Sequence, residues 1–95
     1  MYQLRLNKYA EAEFKELDGT QKIFVQKGFQ RIQVIGMQAG EALHGKLAGC
    51  RKLKNKKAGL RIVFREFQGH MEIIEIVAIG KRDKSEVYRN AELRL

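Results

Sequence analysis

Two lysines two positions apart, two arginines and a tyrosine are the residues of this chain whose types could do chemistry together: Lys52, Lys54, Arg61, Arg82 and Tyr88. Such a set suits RNA cleavage by attack of a ribose 2′-hydroxyl on its own phosphate. That step needs a base for the hydroxyl, positive charge around the dianionic phosphorane, and an acid for the departing 5′ oxygen. Arginine matches phosphate oxygens in pairs. A lysine crowded by other cations is pushed toward its neutral form and can serve as a base. A phenol can stack on a nucleobase or relay a proton. DNA lacks the 2′-hydroxyl, so this chemistry would select RNA. Arg51, Lys56, Lys57, Arg65, Lys81 and Lys84 lie among these five and are candidates for holding RNA.

The rival acid–base pair is His44 and His70. His70 falls in a predicted turn and His44 at a predicted helix end, which keeps them apart. Metal-ligand spacing is missing: there is no Cys pair, no His-Glu-x-x-His and no Asp cluster, so no metal is expected. No glycine-rich phosphate loop follows a strand, so no nucleotide or other small-molecule cofactor is expected either. Charge alone leaves one alternative open, a solvated or phosphate-binding basic face without catalysis.

The elements that must position these groups can be read from periodicity. Tyr2, Leu4 and Leu6 alternate with polar residues as in a half-buried strand. Ala10, Phe14 and Leu17 share a face of a short helix, with Gly19 as its end and Thr20 as cap of the next. Val25, Phe29, Ile32, Ala39 and Leu43 recur at helical spacing, which predicts one long amphipathic helix interrupted by Gly28, Gly36 and Gly40. Gly45 and Gly49 precede three strand-like runs, at 50–54, 60–67 and 71–79, the last two joined by a turn at 68–70. Residues 76–79 are apolar without alternation, as in a strand covered on both sides. Asp83 and Glu86 form a capping-box-like start for a last helix bearing Val87, Ala91 and Leu95.

Strand alternation puts Lys52 and Lys54 on one face, with Arg51 and Leu53 on the other. Leu60, Ile62 and Phe64 then face the helices, and Arg61, Val63 and Arg65 point the opposite way. A short hairpin at 55–59 brings Lys54 near Arg61. Lys81 and Arg82 follow the end of the third run, and Tyr88 can lean back from the last helix. The expected fold is α+β: an antiparallel-rich sheet of an N-terminal strand plus three C-terminal strands. Two N-terminal helices pack on one face, and a short helix closes the chain.

The 95 residues suffice for one domain, 1–95, and are too few for two. Cys50 is the lone cysteine, so an internal disulfide is excluded and a reducing compartment fits; its bland role is that of a small half-buried strand residue. The N-terminus lacks the apolar run of a signal peptide, and no stretch approaches membrane-spanning length. A cytoplasmic location and no membrane partner are therefore expected. Nineteen Lys and Arg against 11 Asp and Glu leave a net charge of +8, a strong field pointing to RNA, DNA or an acidic protein segment as partner.

Leu43-His44-Gly45, Cys50-Arg51-Lys52-Leu53-Lys54 and Gly59-Leu60-Arg61-Ile62-Val63-Phe64 resemble the middle of the RelE toxins. The run from Ile79-Gly80-Lys81-Arg82 to Asp83-Lys84-Ser85-Glu86-Val87-Tyr88 resembles the most distinctive stretch of that family. The motif covers residues 43–95; the first 40 residues agree only in order of elements. The resemblance implies a microbial-RNase-like sheet and metal-independent cleavage of messenger RNA in the ribosomal A site. It implies that Lys52 and Lys54 supply base and electrostatic stabilisation, that Arg61 and Arg82 hold the scissile phosphate, and that Tyr88 stacks on or orients the nucleotide. It also implies a cognate antitoxin whose acidic segment wraps the basic surface and displaces or covers the last helix. The extra glycines between 36 and 49 depart from the family pattern. ParE-like gyrase inhibitors share the fold, so a non-catalytic gyrase inhibitor and a basic nucleic-acid-binding module stand as alternatives.

Overall fold

The N-terminal alternation forms strand β1 (Gln3–Leu6), with Leu4 and Leu6 turned to the core. Asn7 ends it: its Oδ1 accepts from Ala10 N (2.8 Å) and so caps helix α1 (Lys8–Glu16). The computed structural model describes residues 1–95 except Arg82, and the backbone but not the side chain of Lys84. Helix α2 (Gly19–Ile35) begins two residues earlier than a Thr20 cap suggests, because Asp18 is the N-cap and forms a reciprocal capping box with Gln21. Gly19 therefore opens a helix instead of ending one.

The α2 stripe does not run on to Leu43. Gly36 adopts φ 77°, and a Cβ there would lie 2.6 Å from the Tyr2 ring, so only glycine fits and the α-helix stops. A 3₁₀ turn (Gly36–Ala39) leads instead into a two-residue edge strand, β2 (Glu41–Ala42). After a second 3₁₀ turn (Gly45–Leu47) come β3 (Cys50–Asn55), β4 (Leu60–Phe67) and β5 (His70–Lys81). His70, Gly80 and Lys81 thus belong to β5 rather than to its flanking turns. The last helix, α3 (Glu86–Arg94), starts after a 3₁₀ turn (Asp83–Ser85). Ser85 is the N-cap, at φ 57° and without a side-chain capping bond, so the α-helix begins two residues later than an Asp83 cap suggests.

The sheet order is β1-β5-β4-β3-β2, with β1 parallel to β5 and the other neighbours antiparallel. The sheet is therefore mixed and has five strands, one more than the periodicity shows. Helices α1 and α2 cover one face, where Ala10, Val25 and Ile32 pack on Ile62, Phe64, Ile74 and Ile76. Each such large side chain stabilises the fold by about 1.5–3 kcal/mol relative to exposure. Helix α3 covers part of the opposite face, setting Val87 and Ala91 on Val63, Val77 and Ala78. The run at 76–79 is explained by a bulge: Val63 pairs with Ala78 and Phe64 with Ile76, so Val77 is the extra residue. Val77 and Ala78 consequently both join the α3 cluster. Among the described residues, no helix is long and apolar enough to cross a membrane.

Beyond Ile76, β1 no longer covers the edge of β5, and side chains satisfy its backbone instead. Asn7 Nδ2 (3.1 Å) and Arg94 Nη1 (3.0 Å) donate to Val77 O, and Ile79 N donates to Glu13 Oε1 (3.1 Å). Arg94 also grips both oxygens of Glu13, at 2.8 and 3.0 Å. The end of α3 is thereby clamped to α1 around the sheet edge.

Candidate functional site

Cross-strand register decides which basic residues meet. Lys52 pairs with Val63, Lys54 with Arg61, and Arg61 with Gly80. Directly opposed residues share a face, so Lys52, Lys54 and Arg61 lie on the side that carries α3. Helix α3 packs directly over Gly80, where a Cβ would lie 3.5 Å from Val87 Cβ, an ordinary contact. Tyr88, one residue on, is half-buried, and Lys52 Nζ lies 5.8 Å from its ring centroid, within cation–π range. Two lysines, an arginine and the phenol are therefore brought to one face. Arg82 lies outside the described residues.

Depth separates these groups. Arg61 is only 6% exposed and donates from Nη1 to Leu60 O at 2.9 Å, so it forms the floor. Lys54 rises at the margin, where its Nζ meets Glu41 Oε1 at 2.9 Å; the two side chains are 31% and 60% exposed. Glu41 stands on β2 directly across from Lys52. The hydrogen bond and charge of Lys54 hold the Glu41 carboxyl below the usual carboxylate range; desolvation opposes them, and the charges of Lys52 and Lys56 add less to the lowering. Sequence reading missed this carboxylate because residue 41 fell inside a helix predicted to reach Leu43. The available signal was the pair of glycines, Gly36 and Gly40, that bracket the chain reversal.

The candidates for holding RNA divide. Lys56 and Lys57 are exposed in the β3–β4 turn, beside Lys54. Arg65 shares the open face but is paired with Glu75 at 2.8 Å. Arg51 is not brought to this face: it is opposite Phe64 and donates to Gly40 O at 3.1 Å on the helical side. That contact depends on Gly40, where a Cβ would lie 2.6 Å from the Phe64 ring and 2.7 Å from Lys52 O. Lys81, opposite Leu60, also points to the helical side and lines a cleft with Glu13, Glu16 and Gln21. The side chain of Lys84 is not described. His44 precedes the turn before β3, whereas His70 opens β5 at the end remote from Gly80 and stacks on Phe67 at 5.9 Å.

The arrangement can hold a phosphodiester over Arg61, between the two lysines, with a base against Tyr88. No family model matches the chain. Over 97 residues it is 30% identical to a RelE-like toxin protein of Escherichia coli, covering 99% of this chain and 97% of that protein. A double arginine-to-alanine mutant of E. coli toxin RelE, solved in the free state, has the same fold with a TM-score of 0.82. Identity there is 24%, covering 99% of this chain and 97% of that one. The same mutant in complex with an antitoxin RelBc peptide gives a TM-score of 0.73 at 25% identity, covering 95% and 93% of the two chains.

Proposed function

The chain belongs to the family of RelE-like toxins, and from that premise we propose that it is the toxin of a type II toxin–antitoxin module, an endoribonuclease cutting messenger RNA in the ribosomal A site. The observation that supports this most is the convergence of Lys52, Lys54 and Tyr88 above Arg61 on one sheet face. In the reaction, the ribose 2′ oxygen attacks the adjacent phosphorus as its proton passes to a base, Lys52 or Lys54. The bond from phosphorus to the 5′ oxygen breaks, and that oxygen takes a proton from an acid of the same cluster. A 2′,3′-cyclic phosphate and a 5′-hydroxyl result. Arg61, with Arg82 as its partner in the proposal, stabilises the charge that grows on the phosphoryl oxygens. Tyr88 stacks on or orients the nucleotide. Arg65, Lys56 and Lys57 serve RNA backbone on the same side.

A cognate antitoxin follows from the same likeness, since E. coli RelE is known in complex with a RelBc peptide. An acidic segment would neutralise the basic face and cover or displace α3. The chemistry is tested by programming ribosomes with a message carrying a single 2′-deoxyribose at the mapped cleavage site. The expected result is loss of the cut there and cyclic-phosphate ends at unmodified sites; a cut that persists at the deoxyribose would sink the mechanism.

A further inference from the structure

We propose that Glu41 is an internal competitor for the phosphate site, its carboxylate occupying Lys54 in the free protein and giving way when an RNA phosphate arrives. The inference rests on the reading of Lys54 as a group that meets phosphate. Glu41 places an anion in the margin of a face where its near charged neighbours are cations, Lys52 opposite it, Arg61 opposite Lys54, and Lys56 in the adjoining turn, with the Tyr88 phenol near Lys52; the Arg65–Glu75 pair lies further along the same face. Glu41 Oε1 meets Lys54 Nζ at 2.9 Å, and among the described residues it makes no ion pair with Lys52. A carboxylate and a phosphate are drawn to the same ammonium, and although it has three protons to give, the repulsion between two anions at contact distance sets them in competition there.

The pair is built to open. Glu41 sits on a two-residue edge strand and both partners are open to water, so the contact stabilises the fold little and can be exchanged without disturbing the core. A phosphate entering from the open side meets the field of Lys52, Lys56 and Arg61 as well as Lys54, whereas Glu41 is then released to solvent. The exchange lowers affinity for any single phosphate and makes binding less dependent on salt, because the Glu41–Lys54 pair must break as RNA binds and salt weakens that pair.

The test measures binding of a short single-stranded 2′-O-methyl RNA, which cannot be cut, to wild type and to Glu41→Gln across a salt series. The variant is expected to bind about twofold to fivefold tighter at low salt. Its plot of log affinity against log salt should be steeper, by at most about 0.7, because Lys54 meets phosphate in both proteins and only the salt-sensitive Glu41–Lys54 pair is gone. In a Lys54→Met background the Glu41 substitution is expected to leave the slope where it was. An unaltered slope for Glu41→Gln, or an equal steepening when Lys54 is absent, overturns the inference. Because the probe is inert, a protein that shows the slope change but never cuts messenger RNA would remove the nuclease reading alone.

Discussion

Lys54 and Arg61 oppose each other across two strands, yet one stands at the rim and the other forms the floor. Alternation predicts which face a strand residue takes, so the grouping of Lys52, Lys54 and Arg61 was legible from spacing. It carries no information on depth, on Arg51 turning to Gly40 O, or on the carboxylate that a distant segment brings to Lys54. Cys50 sits on the same face, fully buried. Burial pushes its thiol above the usual range; the Arg65 charge opposes this and Glu75 reinforces it. The unfolded thiol therefore ionises first as pH rises, the unfolded state holds fewer protons there, and stability falls until the folded thiol ionises too. Urea unfolding from about pH 8 to 10 should show a flatter alkaline decline for Cys50→Ala than for wild type. Parallel declines would contradict that.

At the scale of elements, α3 matters because it carries Tyr88, and the Arg94–Glu13 clamp holds its far end. The two side chains are 13% and 22% exposed, and they also close the backbone edge of β5 beyond β1. Arg94→Ala is expected to cost about 1.5–3 kcal/mol, the range for hydrogen bonds to charged groups. It should also speed amide exchange through α3 more than through β4. Exchange in α3 equal to wild type would show that Val87 and Ala91 hold the helix unaided. The helices and the three long strands were readable because each has its own period. The end of α2 and the whole of β2 were not. The first is set by Tyr2 ring packing on Gly36, and the second exists only because two residues pair with Arg51 and Lys52.

For the whole molecule, a charge of +8 draws polyanions without choosing among them. Topology adds an arrangement that charge does not specify: the register of β3 on β4 sets the lysines on the face of Arg61, Val77 and Ala78 pack under α3, and α3 carries the phenol. The order of elements was legible in the chain, whereas the parallel pairing of β1 with β5 was not, since alternation is blind to strand direction. The most direct test of the account is primer extension on a message in programmed ribosomes, comparing wild type, Lys54→Met and ribosome-free RNA. Lys54 is chosen over the buried Arg61 because its removal leaves the core untouched. Discrete cuts that need ribosomes and fall by about a hundredfold or more in the variant, with unchanged thermal unfolding, are expected. Intact message with folded, antitoxin-free wild type, or equal cutting by Lys54→Met, would contradict it.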